Sequence, residues 1–138
     1  MLKLTHQVVD IAITCSNFEE SLVFYRDKLG FKVVLDMDIP NDVAAEAGLA
    51  PRGFRQVRLQ AGQTLIKLMD IQNPPSRPTS DFSAGVRWLT FFVEDVVSAR
   101  DELRDKGVTF LAEPIVAPDA SVVCALDPDG ILIELVQL

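Results

Sequence analysis

An internal repeat constrains the fold most strongly, because two copies of one supersecondary unit are expected to fold in the same way. The repeated segments are VDIAITCSNFEESLVFYRDKLGFKVV (9–34) and VRWLTFFVEDVVSARDELRDKGVTFL (86–111). Each begins with alternating apolar residues typical of a strand, passes a polar capping residue, continues with helical spacing and reaches a glycine before a second strand. Two further strands follow each copy, so the sequence predicts two β-α-β-β-β modules in tandem.

Turn and linker chemistry sets the expected boundaries of these modules. A chain of 138 residues fits one domain, 1–138, with modules at about 5–71 and 85–138. The intervening segment, 72–84, is rich in proline and serine and reads as the linker between them. The first module also contains an insertion, DIPNDVAAEAGLAPRG (38–53), and its sequence is compatible with either a short helix or a lid.

The repeat equates positions that carry unusual side chains. Asp10 stands at the same distance before the first helix cap as Trp88 does before the second, and Lys67 in TLIKLMD matches Glu134 in ILIELVQ. Because side chains alternate along a strand, all four lie opposite the aliphatic faces that suit packing under the helices. We expect them to share a concavity in which Asp10 and Glu134 balance the ammonium of Lys67, since a buried charge needs a partner.

The apolar residues around this charged group allow two interpretations. Alternating apolar residues often form core, and they also line ligand pockets that contain a few convergent polar groups. In the second interpretation Trp88 supplies an aromatic stacking face, and Phe92 and Met69 line the pocket. The charged group itself is either part of the pocket or a purely structural ion-pair cluster.

Three arginines, at positions 52, 55 and 58, follow the insertion. They form either a solvated rim or an anion clamp for a carboxylate or phosphate, and Arg55 is assigned to ligand binding on the second interpretation. His6 is the only histidine, and it stands about 13 Å of strand from Asp10, too far to contribute to a site at Asp10 without a change of register.

Composition excludes several classes of partner. The net charge of −7 argues against nucleic acid, whose binding proteins usually carry a basic footprint. No stretch reaches the roughly 18 apolar residues of a membrane span, and the start of the chain lacks the apolar segment of a signal peptide, so we expect a cytoplasmic protein. The two cysteines are then expected to be free thiols.

Three motifs, NFEESLVFYRDKLGF (17–31), FFVEDVVSARDELRDKGV (91–108) and DPDGILIEL (127–135), give the chain a wider resemblance. Together with the paired modules, they resemble the vicinal oxygen chelate superfamily, which includes glyoxalase I, methylmalonyl-CoA epimerase, extradiol dioxygenases and bleomycin-binding proteins. The resemblance implies an α+β fold in which the two modules form a U-shaped mixed sheet, a cup, with helices packed outside. It also implies a homodimer.

The resemblance further implies a metal site, which this sequence alters. The four ligand positions of metal-dependent members fall on Asp10, Lys67, Trp88 and Glu134, and only Glu134 keeps a usual ligand type. Lysine has no lone pair while protonated, and indole only donates. We therefore predict no metal and no cofactor, with Lys67 in the space where relatives hold a divalent ion.

Two functions from different classes follow from this altered set. The first is a small-molecule-binding protein, similar to bleomycin-resistance proteins, that sequesters a drug or metabolite. The alternative is a metal-independent lyase or isomerase acting on a small carbonyl compound, with Lys67 and Glu134 as its catalytic residues. A metal-dependent glyoxalase or dioxygenase is a third possibility.

Overall fold

The computed structural model describes residues 1–80 and 82–138, and the chain divides into two compact units, 1–76 and 77–138. Asp81, inside the predicted linker, lies outside the described residues. The first unit contains β1 (Ile11–Thr14), α1 (Phe18–Leu22), β2 (Lys32–Ile39), α2 (Asn41–Glu46), β3 (Phe54–Ala61) and β4 (Thr64–Asp70). The second contains β5 (Trp88–Phe92), α3 (Val96–Asp105), β6 (Thr109–Phe110), β7 (Ser121–Leu126) and β8 (Leu132–Gln137). The predicted β-α-β-β-β order is confirmed in both, with α2 as an addition to the first.

The two sheets share one topology and one register. Their strand orders are β1-β4-β3-β2 and β5-β8-β7-β6, and in each sheet the first pair is parallel while the others are antiparallel. Ala12 lies opposite Lys67 in the first sheet, and Thr90 lies opposite Glu134 in the second. Lys67 and Glu134 therefore occupy the same place in the repeat, as the sequence predicts.

Both module helices begin where the sequence places a capping residue. The side chain of Asn17 accepts a hydrogen bond from the Glu20 N–H at 3.2 Å, and that of Asp95 accepts one from the Ser98 N–H at 2.9 Å. These bonds satisfy N–H groups that have no partner within the helix. After α1 the helix widens into π-helical turns over Val23–Lys28, a change that the sequence pattern did not indicate.

Each sheet presents one face to a helix of its own module. In the first sheet Leu59, Ile66 and Leu68 are buried on the face that packs against α1. In the second, Leu89 and Ile133 are buried on the face towards α3. Strand alternation sends the neighbouring side chains of both sheets to the opposite faces, where the candidate site residues lie. Among the described residues, no helix is long and apolar enough to cross a membrane.

The insertion folds as a short helix that covers one end of the first sheet. Ala44 of α2 is completely buried and packs in a cluster with Phe54 and Met69. Gly53 closes the insertion, and its N–H donates to Asn41 Oδ1 at 2.7 Å. A Cβ at this position would lie only 2.7 Å from the Ile39 carbonyl oxygen, so the close approach requires glycine.

Candidate functional site

The face of the first sheet that carries Gln56, Arg58 and Lys67, here called the polar face, holds the predicted charged pair. Lys67 Nζ lies 3.3 Å from Asp10 Oδ2, and the two side chains are 24% and 34% exposed. Asp10 comes directly before β1, and its Oδ1 accepts a hydrogen bond from the Leu65 N–H at 3.1 Å. The Asp10–Lys67 contact of the predicted cluster is present, and the backbone hydrogen bond fixes the position of the Asp10 carboxylate. The predicted part of Glu134 in balancing Lys67 stays a prediction.

Arg58, one of the three arginines considered above as a rim or an anion clamp, also lies on this face, and its place beside Lys67 was not predicted from the sequence. It lies directly opposite Lys67 across the β3–β4 pair, and its Nε donates to Gln56 Oε1 at 2.7 Å. Gln56 is itself buried. The register of the β3–β4 hairpin could have predicted this position. Ala61 pairs with Thr64, and counting outward along both strands places residue 58 opposite residue 67.

The second sheet carries Trp88, Thr90, Phe92 and Glu134 on one face, here called the aromatic face. Trp88 Nε1 donates to Thr90 Oγ1 at 3.1 Å, and Thr90 Oγ1 donates to Glu134 Oε1 at 2.7 Å. Trp88 is 51% exposed and Phe92 is 69% exposed, so two aromatic rings flank a carboxylate on an accessible surface. The bridging role of Thr90 was not predicted from the sequence.

Cys124 lies opposite Glu134 in the β7–β8 pair. Burial, together with the nearby Glu134 carboxylate, raises the pKa of its thiol. Because the thiolate is the nucleophilic form, Cys124 is suited to packing rather than to covalent chemistry at neutral pH. Within the described residues neither Cys15 nor Cys124 is in a disulfide, as the sequence predicts.

Arg55 points to the other side of the first sheet from Lys67. Its guanidinium makes two hydrogen bonds to the Asp36 carboxylate, at 2.9 and 2.8 Å, and lies 3.7 Å from Asp70. It also stacks over the Phe18 ring at 4.9 Å. The Asp36 hydrogen bonds are the main cause of a raised pKa for Arg55. These contacts give Arg55 a structural role on the helix side of the sheet, and its predicted part in ligand binding stays a prediction.

Met69 is on the polar side of β4 and is almost completely buried by the insertion. It also lines a pocket of about 340 Å³ between the loop at 49–52 and the end of β4. Thr14 Oγ1 lies 3.5 Å from its sulfur. Met69 is therefore part of the wall beneath the insertion, while Lys67 lies outside this pocket.

The resemblance places metal-ligand positions at Asp10, Lys67, Trp88 and Glu134, and two of these carry groups that cannot coordinate a metal ion. The Lys67 ammonium and the Trp88 indole N–H have no lone pair to offer, and one oxygen of Glu134 accepts the Thr90 hydroxyl. Among residues 1–80 and 82–138, no three His, Cys, Asp or Glu side chains are grouped to hold a metal ion.

The electrostatics of Asp10 give a testable pH dependence. The hydrogen bond from the Leu65 N–H and, secondarily, the Lys67 ammonium lower the pKa of Asp10 below its ordinary value. A carboxylate with a depressed folded-state pKa stabilises the protein above its unfolded pKa of about 3.9, and this contribution is lost as the pH falls through the folded value. We expect Lys67→Met to raise the Asp10 pKa measured by NMR while leaving it below the ordinary value, because Leu65 still donates.

The matched control for this titration is Lys106→Met. Lys106 pairs with Glu102 on the surface of α3, so its loss should leave the Asp10 titration unchanged. An Asp10 pKa that is the same in Lys67→Met and in the wild type would contradict a functional ion pair between the two residues.

Comparison with known proteins adds family context to this geometry. The profile of the glyoxalase/bleomycin resistance protein/dioxygenase superfamily matches residues 7–135. YwkD of Bacillus subtilis is 33% identical over 99% of this chain and 98% of its own length. A probable lactoylglutathione lyase of Synechocystis is 30% identical over 91% of this chain and 90% of its own. The crystal structure of TnmS3, an antibiotic binding protein from Streptomyces, superimposes with a TM-score of 0.67 at 22% identity, covering 98% of both chains.

Proposed function

This chain belongs to the glyoxalase/bleomycin resistance protein/dioxygenase superfamily, and we propose that it binds a small organic molecule. Its side chains contact the ligand directly, without a metal ion. In this proposal the protein sequesters a drug or metabolite. The ligand has a flat apolar part and a positive charge, and it binds on the aromatic face of the second sheet.

The observation that carries this proposal is the hydrogen-bonded series Trp88–Thr90–Glu134 between two accessible aromatic rings. Trp88 and Phe92 are large apolar side chains that remain exposed on a regular strand. The Thr90 bridge holds the indole and the Glu134 carboxylate in fixed relation, which reduces the entropy lost when a ligand is bound.

Charge favours a cationic group in this ligand. Glu134 is half-buried, and in the part of the chain that the structure describes its carboxylate accepts a hydrogen bond from neutral Thr90 and pairs with no cation. An ammonium or guanidinium group would satisfy this carboxylate, and it would also be attracted to the faces of Trp88 and Phe92. The net charge of −7 acts in the same direction.

The properties of the similar proteins support a binding role and also leave a second candidate. TnmS3 is an antibiotic binding protein, which supports the binding of a small organic molecule on this fold. The probable lactoylglutathione lyase supports a lyase activity, and we keep as the second candidate a lyase or isomerase that acts without a metal. In that alternative the Lys67 ammonium, held 3.3 Å from Asp10, would stabilise negative charge that develops on a carbonyl oxygen of the substrate.

Fluorescence of Trp88, the only tryptophan, tests the proposal directly. We expect planar cationic compounds to change its emission in a saturable way, and neutral compounds of the same shape to bind at least about tenfold more weakly because they leave Glu134 without a charged partner. Prior treatment with EDTA should leave the affinity unchanged, and the recovered ligand should be chemically intact.

Two outcomes would count against this proposal of metal-free sequestration. Turnover of a small carbonyl compound that Lys67→Met abolishes would favour the enzyme. Binding that EDTA removes and a divalent ion restores would show that a metal takes part. Arg104→Met, a change on the exposed surface of α3, is the matched control and should behave as the wild type.

A further inference from the structure

We propose that Arg58 and Lys67 form an anion-binding subsite on the polar face, and that its ligand is a carboxylate group. This inference does not depend on a ligand at the aromatic face, because every residue that carries it belongs to the first unit. It goes beyond the proposed function by assigning a role to a pair of cations that neither the binding nor the enzymatic candidate uses together.

The first argument is the arrangement of two like charges. Arg58 and Lys67 are direct cross-strand partners in an antiparallel pair, and both point to the polar face. Side chains in such a pair have Cβ atoms about 4.5–5.5 Å apart, and like charges directly opposite each other destabilise a sheet. A neighbouring negative charge is therefore expected.

The second argument is that the neighbouring charges do not balance. Asp10 supplies one carboxylate, and one of its oxygens already accepts the Leu65 N–H. Within the described ranges, Arg58 donates only to the neutral amide of Gln56 and has no carboxylate within ion-pair distance. Two positive groups thus share one negative group, which leaves the polar face with one uncompensated positive charge in a protein of net charge −7.

The third argument is that Arg58 is held in place. Gln56 is only 6% exposed, and its Oε1 accepts from Arg58 Nε at 2.7 Å. This bond uses one nitrogen of the guanidinium and leaves the terminal nitrogens for a ligand. Gln56 is therefore a positioning residue that orders the arginine before binding, and this order reduces the entropy lost on binding.

The chemistry of the two donors indicates which anion fits. A guanidinium presents paired N–H donors that match the two oxygens of a carboxylate, and an ammonium adds a point charge beside them. Lys67 has further N–H donors besides the one directed at Asp10. One planar carboxylate bridging Arg58 and Lys67 would neutralise the excess charge.

The test is an NMR titration of the full chain that follows Arg58 Nε–H and the side chain of Lys67 at constant ionic strength. The probes are acetate, pyruvate and benzoate, with inorganic phosphate and chloride as competing anions. We expect saturable shifts with the carboxylates. Arg58→Met and Lys67→Met should each weaken binding by at least about tenfold, because each removes one charged donor.

Two further variants separate this subsite from a general surface effect. Arg104→Met removes an exposed arginine from α3 and should leave carboxylate affinity unchanged. Gln56→Leu keeps both cations, and it should weaken binding and alter the Arg58 Nε–H signal before any ligand is added. If a variant fails to fold, the titration of the wild-type protein still shows whether carboxylates bind at Arg58 and Lys67.

The proposal would be overturned by carboxylates that produce no saturable shift, or by equal affinity in Arg58→Met and the wild type. Tighter binding of phosphate than of every carboxylate would overturn the assignment of the ligand. Because the aromatic face is followed independently through Trp88 emission, failure of this subsite and failure of the proposed function give different results.

Discussion

Leu68→Ala should lower the free energy of unfolding by about 2–5 kcal/mol, the usual cost of removing a buried leucine side chain and leaving a cavity. Leu68 is completely buried in β4, between Ile13 of β1 and Val57 of β3. Leu68 and both neighbours lie on regular strands, so the surroundings can collapse only partly into the space. Urea denaturation followed by circular dichroism measures the change.

The repeat provides a matched variant for this prediction. Leu135 is the equivalent residue of β8, lies between Phe91 and Val123, and is 4% exposed, so Leu135→Ala should cost a similar amount. Leu4→Ala is the surface control, because Leu4 is 72% exposed and its loss should change stability by less than about 0.5 kcal/mol. A loss below about 1 kcal/mol for Leu68→Ala would mean that this face of the sheet is not tightly packed.

Trp88→Ala should weaken binding of a planar cationic ligand by roughly thirtyfold or more, as expected when an aromatic anchor at the centre of a contact is removed. The change deletes the stacking face and also the donor to Thr90, so Glu134 loses its ordered neighbour. Isothermal titration calorimetry is the suitable measurement, because this variant has no tryptophan.

The control for Trp88→Ala is another exposed aromatic residue of the same unit. Phe82 is 82% exposed and lies outside the aromatic face, so Phe82→Ala should bind as the wild type does. A Trp88→Phe variant should recover much of the affinity, since it restores a flat ring without the indole N–H. Equal binding by Trp88→Ala and the wild type would place the ligand elsewhere.

Much of the fold was predictable because local chemistry fixed it. Asn17 and Asp95 each combine a capping side chain with an apolar helical pattern after it, and both helices begin at the next residue. The β3–β4 and β7–β8 hairpins also followed from turn residues, which set the register that places Lys67 opposite Arg58 and Glu134 opposite Cys124. The π-helical turns at Val23–Lys28 had no comparable local signal, since their residues also suit a regular helix.

The candidate site was only partly predictable, because side chains close in sequence diverge in space. Arg55 and Arg58 are three residues apart on one strand, so they point to opposite faces, one to Asp36 and the other to the polar face. Their short spacing in the sequence predicts a single cluster, which the strand geometry divides. Met69 lies two residues after Lys67 on the same face of β4, as strand alternation predicts, yet α2 buries it. The residue pattern within β4 cannot show what an insertion elsewhere in the chain will cover.

The common register of the two sheets has a consequence for how such a chain can change. Backbone hydrogen bonds set the geometry of each row, so the side chains in that row can be exchanged without moving the strands. One row reads Ala12, Lys67, Arg58, and its counterpart reads Thr90, Glu134, Cys124. The two copies of the repeat thus carry side chains of opposite charge at equivalent positions. Substitutions in one copy can adapt its face to a new chemical group while the other copy keeps its side chains.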